Sequence, residues 1–297
     1  MKKQAGRFRR CLFSLLAVLI FCTAAAVLIS NHFLTVGRYS VKSDRLPPEF
    51  DGYRIVQLSD LHSAVFGRDN HTLIKKIRRL KPDLVVMTGD MVNSTDENFD
   101  TFFSLAQTVA KEFDTYFIVG NHEQMLGERK TELFTQSLES LGVTVLDNRS
   151  VLLERNGSYI RLYGMWFHLR FYADRSPDAD AAVQYALTEE NITDILGKND
   201  RETYSLLLTH NPVYFDTYRA WGADLTLCGH MHGGMVRLPF AGGVYSPEKT
   251  FFPQYDAGLF TRDNQTMIVS RGLGNGNLGF RFLNCPELVS ITLHAET

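Results

Sequence analysis

Cysteine is scarce in this chain. Four are present in 297 residues, and two of them, Cys11 and Cys22, lie in an apolar N-terminal stretch, which leaves Cys228 and Cys285 for everything else. Two cysteines make no disulfide framework, so a hydrophobic core must hold the folded part together. Internal repeats and low-complexity tracts are also missing, and a chain of this length then reads as one large domain. Acidic residues are absent from the first ten positions, where Lys2, Lys3, Arg7, Arg9 and Arg10 cluster, and Asp, Glu, Lys and Arg are all absent from Cys11 through Gly37. With the basic cluster set aside, 26 Lys and Arg face 33 Asp and Glu, a formal balance of −7 for residues 11–297. That surface lacks the positive field that sequence-independent binding to nucleic acid requires, so no nucleic-acid partner is expected.

The uncharged stretch is long enough to cross a bilayer as a helix. Its basic flank and the sparse charge behind it (Arg38, Lys42, Arg45) place the N-terminus in the cytoplasm and the bulk of the chain outside. A cleaved signal peptide using Ala24-Ala25-Ala26 competes with this reading, but Val27-Leu28-Ile29 prolongs the apolar run past the usual length of such a core. Arg9-Arg10 also loosely fits a twin-arginine export signal, and Leu19-Ile-Phe-Cys22 resembles a lipoprotein box spoiled by the bulk of Phe21. The expected organisation is a basic cytoplasmic segment over 1–10, a signal anchor over 11–36, a linker over 37–51 and one folded domain over 52–297.

Against these absences stands an ordered set of polar blocks: Asp60-Leu-His62, Gly89-Asp90, Gly120-Asn121-His122-Glu123, His210 and Gly229-His230-Met-His232-Gly-Gly. Nearly all follow an apolar run. Ile55 to Leu58, Leu84 to Met87, Tyr116 to Val119, Leu206 to Leu208 and Leu225 to Cys228 read as strands, and Leu73, Ile74, Ile77 and Leu80 as a helix capped by Asp69 or Asn70. Strand–helix alternation predicts right-handed crossovers and a largely parallel sheet, with every block delivered to the edge formed by the strands' carboxyl ends. Residues 172–203 read as an insertion of helix and loop, and Met267 to Ser270 and Leu288 to Leu293 as strands of a second sheet. Carboxylate, imidazole and amide without thiolate suit borderline or hard divalent cations, and the ligands suffice for two ions.

Taken singly, Asp60-Leu-His62 and Gly89-Asp90 are weak signals, since Asp often caps the turn after a strand. Taken together, the blocks resemble the calcineurin-like metallophosphoesterase superfamily over most of residues 53–294. Thr209-His210-Asn-Pro212, the run from Gly229 to Pro239 and Ser270-Arg-Gly-Leu-Gly-Asn275 resemble its bacterial membrane-associated YaeI/YkuE-like group. The resemblance implies an α/β protein, a four-layer α/β-β/α sandwich of two mixed sheets behind one N-terminal transmembrane helix. It further implies a dinuclear metal centre in which Asp60, His62 and His232 hold one ion, Asn121, His210 and His230 the other, and Asp90 bridges both. In-line attack of a metal-bridging hydroxide on phosphorus is the implied reaction, with His122 stabilising developing charge or protonating the leaving oxygen. Manganese, iron, zinc and cobalt all suit these ligands.

One position departs from the pattern. Many relatives carry an aspartate three residues after the bridging one to orient the catalytic histidine, and here Asn93 stands in its place, with Asp96 as a substitute. A weaker acid leg is expected. Glu123 is expected to hold its loop. Gly274-Asn-Gly276-Asn-Leu-Gly279 spells a dinucleotide fingerprint, but no plausible helix follows it, and a Gly-rich loop near the metal edge is expected instead. His32 is placed at the membrane boundary, His71 at a helix start and His294 on a terminal strand. His168 and Arg170 fall on a loop, either at the surface or within reach of substrate phosphate. The aromatic run Phe240, Tyr245, Phe251, Phe252 and Tyr255 is assigned mainly to the core, with a substrate groove as the alternative, and Cys228 to the interior.

The function expected is a membrane-anchored phosphoesterase acting on a phosphomonoester, phosphodiester or pyrophosphate, with a lipid or cell-envelope substrate as the narrower expectation. A soluble-nucleotide phosphodiesterase and a non-catalytic metal-binding scaffold of the same fold are the alternatives.

Overall fold

A computed structural model describes residues 2–172, 186–276 and 279–296, with backbone alone for residues 2–10. The chain opens with helix α1 (Lys2–His32) and strand β1 (Thr35–Ser43). Strands and helices then alternate: β2 (Arg54–Leu58), α2 (His71–Leu80), β3 (Leu84–Met87), α3 (Asp100–Ala110), β4 (Thr115–Phe117), the short α4 (Asn121–Gln124), α5 (Glu128–Ser140) and β5 (Thr144–Val145). A hairpin of β6 (Arg149–Arg155) and β7 (Ser158–Met165) leads to α6 (Glu189–Leu196), β8 (Ser205–Thr209), α7 (Phe215–Trp221) and β9 (Leu225–Cys228). Two small strands, β10 (Arg237–Leu238) and β11 (Gly242–Gly243), precede β12 (Gly258–Arg262), β13 (Gln265–Val269) and β14 (Glu287–Ala295).

The strands form two six-stranded mixed sheets, in the orders β1-β14-β2-β3-β4-β5 and β12-β13-β9-β8-β7-β6. From β2 through β5, and from β7 through β9 to β13, neighbours run parallel. The two sheets pack face to face through Ile55, Leu84 and Val86 on one side and Leu162, Leu206 and Leu225 on the other. The outer face of the first sheet is covered by α2, α3 and α5, the second by α6 and α7, which completes four layers. Burial on both faces explains why β3, β8 and β9 read as unbroken apolar runs rather than alternating ones. Helix α2 shows the opposite logic: Leu73 and Ile77, four apart, point into the core while Lys75, Arg78 and Arg79 stay outside. Each of those two side chains contributes roughly 1.5–3 kcal/mol by leaving water. Asn70 precedes this helix, but its side chain accepts the Phe66 N–H at 3.0 Å and caps nothing.

Two expectations change here. The segment 37–51 is no tether, because β1 runs parallel to β14 in register from Thr35 opposite Glu287 to Ser43 opposite Ala295. Phe50 is then fully buried and Leu46 nearly so. The alternation in this segment looked polar because one face of an edge strand meets water. It follows that the helix stops at His32 and the folded domain begins by Thr35, short of the expected bounds at 36 and 52. Residues Leu288 to Leu293 belong to the first sheet, antiparallel to β2, whereas Met267 to Val269 do belong to the second. Val289, Ile291 and Leu293 fill the space between the sheets, which either sheet could have supplied. Of the expected insertion over 172–203, residues 173–185 lie outside the described part.

Candidate metal centre

Because the central strands are parallel within each sheet, the turns that follow β2, β3, β4, β8 and β9 meet at one edge of the sandwich. Those turns carry Asp60, Asp90, Asn121, His210 and His230, all buried. His62 and His232 join them. Ligating atoms of Asp60, His62 and His232 fall within 4.8 Å of one another, as do those of Asp90, His210 and His230, and those of His62, Asp90 and His122. Seven of the eight residues singled out from the sequence are thereby brought together, and Asn121 joins them in lining one cavity with Asp90, His122, His230 and His232.

The turns are tight. Gly229 lies so close to β2 that a methyl group there would land on Ser59 Oγ and Asp60 Oδ2, and one at Gly120 would land on Asp90. Asp60, His62, Asp90, His230 and His232 have positive φ, between 47° and 69°. A left-handed conformation costs a non-glycine residue about 1–2 kcal/mol. Five such residues in one cluster mark a place where the fold overrides local preference.

Hydrogen bonds hold several of these side chains. Asp60 Oδ1 accepts the His230 N–H at 2.8 Å, and Asp90 Oδ1 accepts the His122 N–H at 2.8 Å. His210 donates Nδ1–H to the Thr88 carbonyl at 2.7 Å, which turns Nε2 to face Asp90 Oδ2 at 3.1 Å. Burial opposes charge on His210, yet Asp90, Asp60 and the Thr88 carbonyl together push its pKa up to about 10. Asp90 is held well below the ordinary carboxylate range, against its own desolvation, by His210, His122 and His62.

His62 and His232 behave differently. Burial lowers His62 to about 4 in spite of Asp90, and lowers His232 well below the usual imidazole value, with His62 and Arg281 adding to the effect. Their Nε2 atoms lie 3.1 Å apart. Asp60 Oδ2, Asn121 Oδ1 and His232 Nδ1 are buried without a hydrogen-bond partner. Converging lone pairs, two buried carboxylates and orphaned acceptors make a donor set that fits divalent cations.

Glu123 carries no exposed atom and accepts four backbone N–H groups: Gly120 at 2.8 Å and Asp90 at 2.9 Å on Oε2, Met91 at 2.7 Å and Val92 at 3.3 Å on Oε1. Burial and the Asp90 charge push its pKa up to about 7 against the pull of those amides. It binds the turn after β3 to the turn after β4, the loop-holding duty expected of it.

The expected neighbour of His122 is corrected. Asn93 Oδ1 lies 3.0 Å from His62 Nδ1, and its Nδ2 donates to the His62 carbonyl at 3.1 Å. Asp96 braces Asn93 and Ser63, accepting Asn93 N–H at 2.8 Å and Ser63 O–H at 2.5 Å. His122 Nδ1 instead accepts the backbone N–H of Ser94 at 3.2 Å. That bond makes Nδ1 an acceptor, so the proton of the neutral ring resides on Nε2. A side chain cannot supply the contact because the turn after β3 presents backbone there.

Two residues were invisible in the sequence. Glu248 Oε1 lies 2.7 Å from His230 Nε2 and accepts from Asn211 Nδ2 at 2.8 Å. Carboxylates in this position fix the ring and raise its basicity. Arg281, fully buried, donates to the His232 carbonyl at 3.4 Å and to the Gly274 carbonyl at 2.5 Å. No spacing or motif signalled either one.

The remaining candidates settle elsewhere. His168 and Arg170 are exposed on the loop after β7. Tyr255 is buried, but Phe240, Phe251 and Phe252 are exposed rather than in the core, and Tyr245 lines a cavity of about 180 Å³ with Asp90, His122, His232 and Lys249. Cys228 is buried, His71 opens α2, His294 lies on β14 beside Asp51 and His32 ends α1. Gly274 to Gly279 borders His62 and His232 and opens no described helix, residues 277–278 being outside the described part.

Comparison with known proteins agrees with this geometry. Residues 53–234 match the calcineurin-like phosphoesterase family model. The uncharacterized metallophosphoesterase YkuE of Bacillus subtilis is 30% identical over 89% of this chain and 87% of its own. The phosphodiesterase YaeI of Escherichia coli is 28% identical over 91% and 96% respectively. A Danio rerio transmembrane protein with a metallophosphoesterase domain is 25% identical over 97% of this chain and 64% of its own. The chain belongs to the calcineurin-like phosphoesterase family and is a metallophosphoester hydrolase.

Proposed function

We propose that this chain is a membrane-anchored hydrolase of phosphomonoester, phosphodiester or pyrophosphate bonds that works with two divalent cations, its catalytic domain outside the cell membrane. The observation that carries the reading is the pair of ligand groups, Asp60-His62-His232 and Asp90-His210-His230, packed side by side with the Asp90 carboxylate in reach of His62 and His210. Asp90 would belong to both groups because its Oδ2 lies 3.1 Å from His210 Nε2 and 3.8 Å from His62 Nε2, and Asn121 would complete the second group through its unpartnered Oδ1. Cations held there would supply Lewis acidity and an acidified water.

The protein's own residues supply the rest. His122 stands beside this centre, its ring 4.6 Å from that of His62 and lining the cavity with Tyr245, and the Ser94 amide occupies its Nδ1 so that Nε2–H is the donor. From there it would donate to a phosphoryl or leaving-group oxygen, the acid leg of the reaction. Asn93 orients His62 and Glu248 orients His230. Lys249 and Tyr245 border the cavity through which a phosphate would arrive, and a cation there favours an anionic substrate.

Anchoring rests on α1, whose residues Cys11–His32 are apolar enough and long enough to cross a membrane and are exposed along nearly all of their length. The basic residues at its start favour a cytoplasmic N-terminus. A lipid or cell-envelope phosphoester suits a catalytic domain held beside the bilayer. Metal analysis of the full-length protein, followed by a screen of monoesters, diesters and pyrophosphates with each reconstituted metal, tests the reading. Turnover of one class that falls at least a hundredfold in His122→Ala supports it, and a metal-replete protein inert toward all three sinks it.

A further inference from the structure

A second cavity, about 760 Å³, adjoins the centre at His62, shares no lining residue with the one beside Tyr245 and has a volume in the range that ligand sites occupy. It runs from His62 and Asn93 to the outer end of the anchor, where Phe33 and Leu34 form one wall and Val65 and Phe66 another. Among the described residues, Lys76 is the only lining one with a charged side chain apart from histidines, and no carboxylate lines it.

The anchor is fastened to this cavity rather than merely near it. Asn31, one residue before the helix ends, donates to the Val27 carbonyl at 2.7 Å and the Arg281 carbonyl at 2.9 Å. Its Oδ1 accepts the Arg281 N–H at 2.9 Å and Asn275 Nδ2 at 3.0 Å. Arg281 and Asn284 in turn grip the His232 carbonyl. One chain of hydrogen bonds therefore runs from the bilayer-spanning helix to a candidate metal ligand. Around the same junction, Phe33, Val65, Phe280 and Leu283 expose 62%, 52%, 48% and 46% of their surface. Clustered apolar exposure of this kind is costly in water and fits the boundary between head groups and acyl chains. A soluble substrate would need neither this collar nor a cavity that opens onto the membrane.

We propose that the cavity between the anchor's outer end and His62 seats the apolar portion of an anionic amphiphile, which enters from the outer leaflet and presents its phosphoester to the metal centre. The chain lies against Phe33, Val65 and Phe66, and Lys76 meets negative charge near the head group. This deepens the phosphoesterase reading and rests on it for the identity of the scissile group, but not for the binding of the chain.

The test uses the full-length protein in phospholipid nanodiscs, with 4-nitrophenyl hexadecyl phosphate and 4-nitrophenyl ethyl phosphate as paired substrates and Val65→Glu as the variant. Val65 is half exposed, so the variant folds. The expected result is a preference in kcat/KM of tenfold or more for the hexadecyl ester, lost in Val65→Glu through KM, with the ethyl ester changed less than twofold. A hexadecyl phosphate bearing a terminal diazirine gives a readout that needs no turnover and should label residues 33–34 and 64–67. Equal kcat/KM for the two esters, a preference that survives Val65→Glu, or labelling confined to other surfaces overturns the proposal. Labelling at 33–34 and 64–67 without hydrolysis of either ester sustains the cavity and overturns the phosphodiester form of the reading instead.

Discussion

Glu123→Gln separates a structural carboxylate from a catalytic one. The side chain has two oxygens, each accepting two backbone N–H groups. An amide must place its NH2 where one of those oxygens was, and either orientation turns a donor toward two donors. Two buried N–H groups are then left unsatisfied: Met91 and Val92, or Gly120 and Asp90. At about 2 kcal/mol for each, the loss is about 4 kcal/mol. For a domain of this size that lowers Tm by about 8–16 °C, at roughly 2–4 °C per kcal/mol. Because the freed amides belong to the turns that carry Asp90 and Asn121, metal content falls as well. Differential scanning fluorimetry of the detergent-solubilised protein, with metal analysis on the same samples, reads both effects. A variant with unchanged Tm and metal content but greatly reduced kcat would refute the clamp and make Glu123 a catalytic acid.

His122→Gln should lower kcat by about 10²–10⁴, the range for loss of general acid–base catalysis, while leaving metal content at the wild-type level. Loss of metal in that variant would make His122 a ligand. Glu248→Gln should weaken metal retention by about 10–100-fold, as outer-shell partners of ligating histidines do, measured by competition with a chelator. Stripping cations should abolish turnover and lower Tm, and restoring them at 100–1,000 times Kd should raise Tm by about 5–15 °C. The far-ultraviolet circular dichroism spectrum should not change. Glu287, nine-tenths buried or more by surface area, has its pKa raised from its ordinary 4.5 by desolvation, against the pull of Arg271. The folded state then holds that proton more tightly than the unfolded one, so the contribution of Glu287 to stability is full below 4.5 and is lost as pH rises through the raised value. Glu287→Gln should flatten that decline, and an identical Tm–pH curve would count against it.

The catalytic edge was legible because its signals are local. A strand buried on both faces must be an unbroken apolar run, and each polar block after such a run sits at the strand's carboxyl end. Parallel order then gathers the blocks without further information. Features that depend on distant partners were not legible. Strand β1 looks like a tether until Thr35 meets Glu287 across 252 positions of sequence. The mistaken pairing of Asn93 with His122 arose because position in a motif identifies a residue but not which of two neighbouring imidazoles it faces. Glu248 lies in a loop whose approach to His230 is set by tertiary packing alone. Phe240, Phe251 and Phe252 followed the usual rule for aromatic burial and broke it, since they lie in irregular segments outside the three hydrophobic clusters.

The left-handed backbone at Asp60, His62, Asp90, His230 and His232 has a consequence for loading. Those conformations are imposed by the packed strands behind them and by amide bonds such as that from His230 to Asp60, contacts made between parts of the chain itself. The cradle is finished when the chain has folded, unlike a zinc finger, whose ion supplies the folding energy. Cations should therefore enter after folding, and protein refolded without metal and then given defined metal mixtures should take up ions in proportions set by the mixture, as metal analysis would read.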